Sequence, residues 1–270
     1  MCNGVGNDQQ CWRKLTSSDP DYPRNLSRFP SKPELWAWGA IELLRETRMV
    51  AIIGTRHPDE AAEESAQRLA QKLAARGWII VSGYAPGIDR AAFRGALEAE
   101  GGRTIAVLAE GFPDRSLSDK GARARSGSVK RLDEILEHWP GRVLFLTQFE
   151  PGTPWAGSRA MARNAIVVEL ARAVIVVQAG PERSERADGQ VRLSGTWDAV
   201  NKASKRQVPV FCVKELLDKG ETRKLVEGPK QLARAVPEQD LPDEVEKLMT
   251  KRDVPVQPSL LVENLEDEDL

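Results

Sequence analysis

The stretch "WIIVSGYAPGIDRAAFRGAL", residues 78–97, joins an apolar run, a glycine-rich turn and a helical pattern. The apolar run is short and rich in isoleucine and valine, which predicts a buried strand. Gly83, Pro86 and Gly87 then fall within five positions, and Asp89 stands where a helix begins. Glycines at a strand-to-helix turn allow an anion to approach the backbone and the helix N-terminus. The stretch therefore predicts a parallel-sheet protein with an anion-binding turn.

Similar patterns alternate on both sides of this stretch. Strands are predicted over 49–54, 104–110, 142–149, 173–180 and 208–213, and helices over 58–77, 87–100, 158–172 and 196–206. Nearly all-apolar strands that alternate with helices are typical of a parallel sheet covered on both faces. The predicted fold class is α/β, with a doubly wound, mainly parallel sheet and helices on both faces.

The chain has 270 residues and ordinary hydrophobic and charged content, which suits one large domain with appendages. Residues 1–20 carry little pattern and are expected to be loose. Four prolines between residues 20 and 33 favour extended structure, so 1–47 is predicted to be an N-terminal extension with an extended approach segment. Residues 48–250 are the predicted α/β domain. Residues 251–270 are acidic and predicted to be disordered.

Several function classes lack support in the sequence. No apolar run is long enough to span a membrane, and no secretory signal pattern opens the chain, so a reducing cytoplasm is the simplest compartment. Three scattered cysteines and two distant histidines give neither a metal site nor a catalytic constellation. No Walker A or GxGxxG motif is present. We therefore expect no metal, no cofactor and no enzymatic activity.

Ligands of parallel α/β sheets bind outside the carboxyl ends of the strands. The turns and helix starts at this rim carry glycines for backbone approach, arginines for phosphate, and short polar side chains. Trp155 also lies at this rim, where an indole can stack on a base. The predicted phosphate-binding residues are Gly54, Thr55, Arg56, Ser82, Gly83, Gly87, Asp89, Arg159, Arg163, Asn164, Ser194 and Gly195.

For some of these residues a purely structural role remains an alternative. Arg56 could be a surface arginine beside a structural glycine, Asp89 a helix cap or a carboxylate that holds the loop, and Ser194 a helix cap only. Arg159 and Arg163 stand in the first turns of a predicted helix, where cations oppose the helix dipole, and this conflict indicates function. As surface residues, Arg56 and Arg163 should tolerate alanine with little change in melting temperature.

Two polar insertions interrupt the strand and helix pattern. Residues 181–193 are predicted to be a loop. Residues 113–130 are Ser/Gly-rich and basic, and either form a solvated surface loop or a flap that contacts phosphates. The basic side chains of this predicted flap are Arg115, Lys120, Arg123, Arg125 and Lys130.

Taken in order, these segments resemble the DNA processing protein A family, also called DprA or Smf. Similar motifs are "YPRNL…KPELWAWG", "AIIGTR" (51–56), "SGYAPGIDRAAFRGAL", "GRTIAVL" (102–108), "EPGTPWAGSRAMARNAIV" (150–167), "SGTWDAVNKASKRQVPVFCV" (194–213) and a closing strand-and-helix motif at "RKLVEGPKQL" (223–232). The resemblance implies a Rossmann-like core of the SLOG superfamily. The family's arginine after the first strand falls on Arg56. Its glycine-rich pocket and its Arg-Asn pair fall on Ser82, Gly83, Gly87 and Asp89, and on Arg163 and Asn164.

The resemblance further implies single-stranded DNA binding, a homodimer, and a recombinase or other protein partner. The predicted function is therefore a non-catalytic, single-stranded DNA-binding protein in DNA recombination, DNA processing or defence. Two alternatives remain at this stage. One is a sensor that binds a small nucleotide in a SLOG-type pocket, and the other is a nucleotide N-glycosidic hydrolase.

Overall fold

The computed structural model describes residues 12–26, 32–113, 131–185, 189 and 191–250. The strands are β1 Arg13–Leu15, β2 Leu35–Gly39, β3 Met49–Ile53, β4 Ile79–Ser82, β5 Arg103–Val107, β6 Val143–Thr147, β7 Val174–Val176, β8 Arg183–Glu185, β9 Val191–Leu193, β10 Val210–Val213 and β11 Arg234–Val236. The α-helices are α1 Glu60–Ala75, α2 Ile88–Glu98, α3 131–138, α4 Gly157–Leu170, α5 Gly195–Lys205, α6 Thr222–Glu227 and α7 Leu241–Thr250. Short 3₁₀ turns lie at Ile41–Arg45 and Lys214–Leu216.

Nine strands form one sheet in the order β1-β2-β6-β5-β4-β3-β7-β10-β11. Neighbouring strands from β6 to β11 are parallel, whereas β2 runs antiparallel to β6 and β1 runs antiparallel to β2. The chain builds outward from β3 to β6 and then returns to the other side of β3 with β7. The strand order therefore reverses between β3 and β7, which is where such sheets open a binding crevice.

Both faces of the sheet are covered by helices, because alternate residues of each strand point to opposite faces. Ile52 belongs to the same buried cluster as Leu69 of α1 and Ala92 of α2. Its neighbour Ile53 belongs to the opposite cluster, with Val167 of α4. The predicted fold class, an α/β doubly wound and mainly parallel sheet, is confirmed.

Helix α7 packs on the face of the sheet that carries α1 and α2. Leu241 and Val245 of α7 are fully buried in the α1–α2 cluster. Glu246 accepts hydrogen bonds from the Arg48 guanidinium at 2.8 and 2.9 Å and from Trp78 Nε1 at 3.0 Å. The helix is thereby fixed to the start of the central strands, a contact that the sequence patterns did not predict.

Several sequence expectations differ from the structure. Residues 13–15, expected to be loose, form β1, because Leu15 is fully buried and Arg13 pairs with Asp19 and Asp21. Strands on both sides of the predicted boundary at residue 47 therefore share one sheet.

The remaining differences lie in the later insertions and at the C-terminal end. The predicted loop at 181–193 contains the β8–β9 hairpin. The closing motif at 223–232 overlaps α6, which begins at residue 222, and the next strand, β11, begins only at residue 234. The basic side chains of the predicted flap (Arg115, Lys120, Arg123, Arg125, Lys130) and the acidic tail lie outside the described residues.

Across the described part of the chain, no helix is long and apolar enough to cross a membrane. In the same residues, His, Cys, Asp and Glu side chains form no group of three or more that could hold a metal ion.

Candidate anion-binding site

A cavity of about 460 Å³ opens at the carboxyl ends of β3 and β7, where the strand order reverses. Its walls are the turns after β3 and β4, the first residues of α4 and α5, and the β8–β9 hairpin. Among the twelve predicted site residues, Ser82, Gly87 and Arg159 do not line it. The structure brings the other nine together: Gly54, Thr55, Arg56, Gly83, Asp89, Arg163, Asn164, Ser194 and Gly195.

Two helix N-termini point at this cavity without side-chain caps. The residues before α4 and α5 are Ala156 and Ser194, and neither side chain accepts a hydrogen bond from the helix backbone. Ser194 therefore stands at the cap position but is not a hydrogen-bonding cap. Uncapped helix starts present free N–H donors and the positive end of the helix dipole. Both features favour an anion in the cavity.

The turns after β3 and β4 are in close backbone contact at Gly87. Its φ is +81°, and an added Cβ would lie 2.5 Å from the backbone oxygen of Thr55. That oxygen also accepts a hydrogen bond from Ile88 N at 3.3 Å. Ser82 is fully buried, and its hydroxyl accepts a hydrogen bond from Tyr84 N at 3.3 Å. Gly87 and Ser82 thus shape the turns rather than line the cavity.

Asp89 stabilises the glycine-rich turn through hydrogen bonds to its backbone. Its Oδ2 accepts hydrogen bonds from Gly83 N at 3.0 Å and Ala85 N at 3.5 Å, and the side chain is buried. Burial raises the pKa of Asp89, while the charge of Arg163 and the backbone N–H donors of the turn act in the opposite direction. Of the two alternatives, the geometry favours the carboxylate that holds the loop.

Arg163 lies in the second turn of α4, and its residue is only 4% exposed. Its Nη1 donates a hydrogen bond to Val107 O at 2.7 Å, and its Nε is buried with no hydrogen-bond partner among the described residues. Burial lowers the pKa of Arg163, and the nearby charge of Asp89 opposes that shift. The expectation of a surface arginine is therefore wrong, because the guanidinium is packed behind Gly83.

Asn164 and Arg159 also act on the walls of the cavity. Asn164 Nδ2 donates hydrogen bonds to Gly195 O at 3.0 Å and to Asp198 Oδ2 at 2.9 Å, which ties α4 to the start of α5. Arg159 donates a hydrogen bond to Pro154 O at 2.7 Å, outside the cavity. Arg159 thus supports the segment that carries Trp155.

Arg56 is the partly exposed arginine of the cavity. Its guanidinium lies 5.4 Å from the ring centre of Trp155, which is 49% exposed. Cation–π contact of this kind orients the arginine beside the aromatic ring. The arrangement joins a cation and an aromatic surface at one edge of the cavity.

A second cavity of about 410 Å³ adjoins the first, and Arg56, Gly83, Ala85 and Arg163 line both. Its remaining polar lining, which was not among the predicted site residues, is formed by Tyr84, Arg90, Glu110 and Arg131. The segment "EGF" (110–112) follows a predicted strand, so its place at the same rim was the available signal for Glu110.

Comparisons with known proteins point to one family. The model of the family described as "DNA recombination-mediator protein A" matches residues 13–240. Protein Smf from Synechocystis is 33% identical over 177 residues, covering 62% of this chain and 40% of that protein. A putative DNA processing protein DprA from Mycobacterium tuberculosis is 41% identical over 147 residues, covering 54% of this chain and 34% of that protein. The chain thus spans less than half the length of these two relatives.

A solved structure of DNA processing protein A from Helicobacter pylori, described for its single-stranded DNA binding mode, has a similar fold. Its TM-score is 0.67 at 26% sequence identity, and the match covers 87% of this chain and 96% of that one.

Proposed function

Because the chain belongs to the DNA recombination-mediator protein A family, we propose that it binds single-stranded DNA and acts in DNA recombination or processing. The observation that carries the proposal is the pair of uncapped helix N-termini, α4 and α5, which face Arg56 across one cavity. The Helicobacter pylori relative, which binds single-stranded DNA, supports the choice of ligand. The proposal assigns binding and no catalytic step to this chain.

In this proposal, the backbone N–H groups at Gly157, Ser158 and Gly195 and the guanidinium of Arg56 hold a phosphate of the strand. Such contacts are independent of base sequence and position the strand in the cavity. Trp155 stacks on a neighbouring base. We further propose, from the family resemblance, that the protein forms a homodimer and works with a recombinase or another protein partner.

We expect fluorescently labelled oligo-dT to bind more tightly than a duplex of the same length, with an affinity that falls as salt rises. Each phosphate contact releases condensed counterions, so the logarithm of the binding constant should fall linearly with the logarithm of salt concentration. Anisotropy titrations across a salt series measure this slope. A flat slope, with tight binding of a mononucleotide, would favour the small-nucleotide sensor instead.

Arg56→Ala should weaken oligo-dT binding about tenfold, because a charge-assisted phosphate contact is lost. Its melting temperature should stay within about 2 °C of the wild type, since Arg56 is partly exposed. Arg94→Ala is the matched control, because Arg94 is an exposed arginine of α2 that lines neither cavity. Equal binding by the two variants would remove Arg56 from the proposed site.

A further inference from the structure

The second cavity contains a carboxylate among arginines. Glu110 follows β5 and lines this cavity together with Arg56, Arg90, Arg131 and Arg163. The backbone oxygen of Glu110 accepts a hydrogen bond from the Thr147 hydroxyl at 2.7 Å. Within the described ranges, its carboxylate has neither a hydrogen-bond nor an ion-pair partner.

The chemistry of this lining does not suit a phosphate alone. Glu110 is partly buried, and burial raises the pKa of its carboxyl group. An ionised carboxylate only accepts hydrogen bonds and repels phosphate, whereas arginine only donates them. A ligand that satisfies both must present N–H donors on one edge and acceptors on another, which is the character of a nucleobase.

Guanine matches this combination more closely than the other bases. Its N1–H and N2–H groups lie side by side and suit the two oxygens of one carboxylate. Its O6 and N7 atoms accept the paired N–H groups of an arginine, the commonest specific arginine–base contact. Thymine offers a single N–H between two carbonyl oxygens, and those oxygens would face the carboxylate unfavourably.

The position of the second cavity suits a base of a strand whose phosphate lies in the first. Arg56 and Arg163 form the wall that the two cavities share. On the side of the second cavity, Trp155 offers a half-exposed indole. Tyr84 lies 5.2 Å from the Arg90 guanidinium and packs edge-on against Phe93. Aromatic walls of this kind stack bases in single-stranded nucleic-acid sites.

We propose that the second cavity binds a guanine base of single-stranded DNA, with Glu110 accepting hydrogen bonds from the guanine N1 and N2 groups. The protein then prefers strands that contain guanine over all-thymine strands. This inference rests on the proposed function, because it places the guanine next to a phosphate held in the first cavity.

The test uses the full chain and short labelled oligo-dT strands that carry one central guanine, hypoxanthine or thymine. The guanine strand should bind about tenfold more tightly than the all-thymine strand, and hypoxanthine, which lacks the N2 amino group, should lose most of that gain. Glu110→Gln should abolish the preference, while its affinity for the all-thymine strand does not fall. Glu150→Gln, which removes an exposed carboxylate that lines neither cavity, should keep the preference.

Two results would overturn the inference. One is equal binding of all three strands by the wild type, and the other is an unchanged guanine preference in Glu110→Gln. Equal, salt-dependent binding of all strands would leave the proposed function intact and remove only the guanine site. Absence of binding to every strand at low salt would remove both.

Discussion

Replacing Arg163 with alanine is expected to lower the free energy of unfolding by about 3 kcal/mol, because a buried guanidinium and its hydrogen bond to Val107 O are removed from the core. Asp89 would stay buried without the nearby guanidinium charge, which favours its ionised form and so counteracts the effect of burial on its pKa. Val107 O would lose its donor at 2.7 Å, and a void would replace the guanidinium. Each of these effects is unfavourable, and they act at one place in the core.

Urea denaturation of the wild type and of Arg163→Ala measures this loss. Arg159→Ala is the matched control, because Arg159 lies four residues earlier on α4 but is partly exposed and bonds only the oxygen of Pro154 among the contacts described for it. Arg159→Ala should lower the free energy of unfolding by less than about 1 kcal/mol. If the midpoints of the two variants coincide, the buried guanidinium of Arg163 does not stabilise the fold as expected.

Gly83→Ala is expected to lower the free energy of unfolding by about 2 kcal/mol through overpacking. An added Cβ would lie 1.6 Å from Arg163 Nη1 and 2.2 Å from Cζ. Exposed arginine ends move aside easily, but this guanidinium is buried and donates a hydrogen bond to Val107 O. The glycine is therefore required by the arginine behind it.

A double-mutant cycle tests this cause directly. In the Arg163→Ala background, which lacks the guanidinium, Gly83→Ala should lower the free energy of unfolding much less than it does in the wild type. The effects of the two substitutions should therefore not be additive. Gly157→Ala serves as the control, because Gly157 lines the same cavity and an added Cβ there meets nothing within 4 Å. Additive losses at positions 83 and 163 would show that the predicted clash is absent.

The elements with strong periodicity could be predicted from the sequence. The central strands β3, β4 and β6 are buried along their length and are apolar except for Ser82 and Thr147 at the ends of β4 and β6. Their predicted bounds differ from the observed ones by one or two residues. The ordered motifs were also sufficient for the family resemblance, which is confirmed. The β8–β9 hairpin was missed because the residues of β8 are all exposed, so they give no apolar signal.

The sequence predicted which residues form the site better than it predicted how deeply each of them is buried. Nine of the predicted residues line one cavity, because they follow the carboxyl ends of parallel strands, which meet at one edge of the sheet. Sequence spacing could not show that Arg163 is buried. A cation near the N-terminus of a helix opposes the helix dipole whether its side chain is exposed or buried. Arg90, Glu110 and Arg131 come from three separate segments, and only the strand order places them around one cavity.

The pairing of β3 with β7 also determines when the site forms during folding. Residue 51 pairs with residue 174, so the two sides of the anion-binding cavity meet only after a loop of more than a hundred residues has closed. Such long-range closure is entropically costly and slows folding. During synthesis, the start of α5 must leave the ribosome before the wall of the cavity is complete. The proposed anion binding at this crevice therefore requires strands and helices from both halves of the chain, and neither half forms the cavity alone.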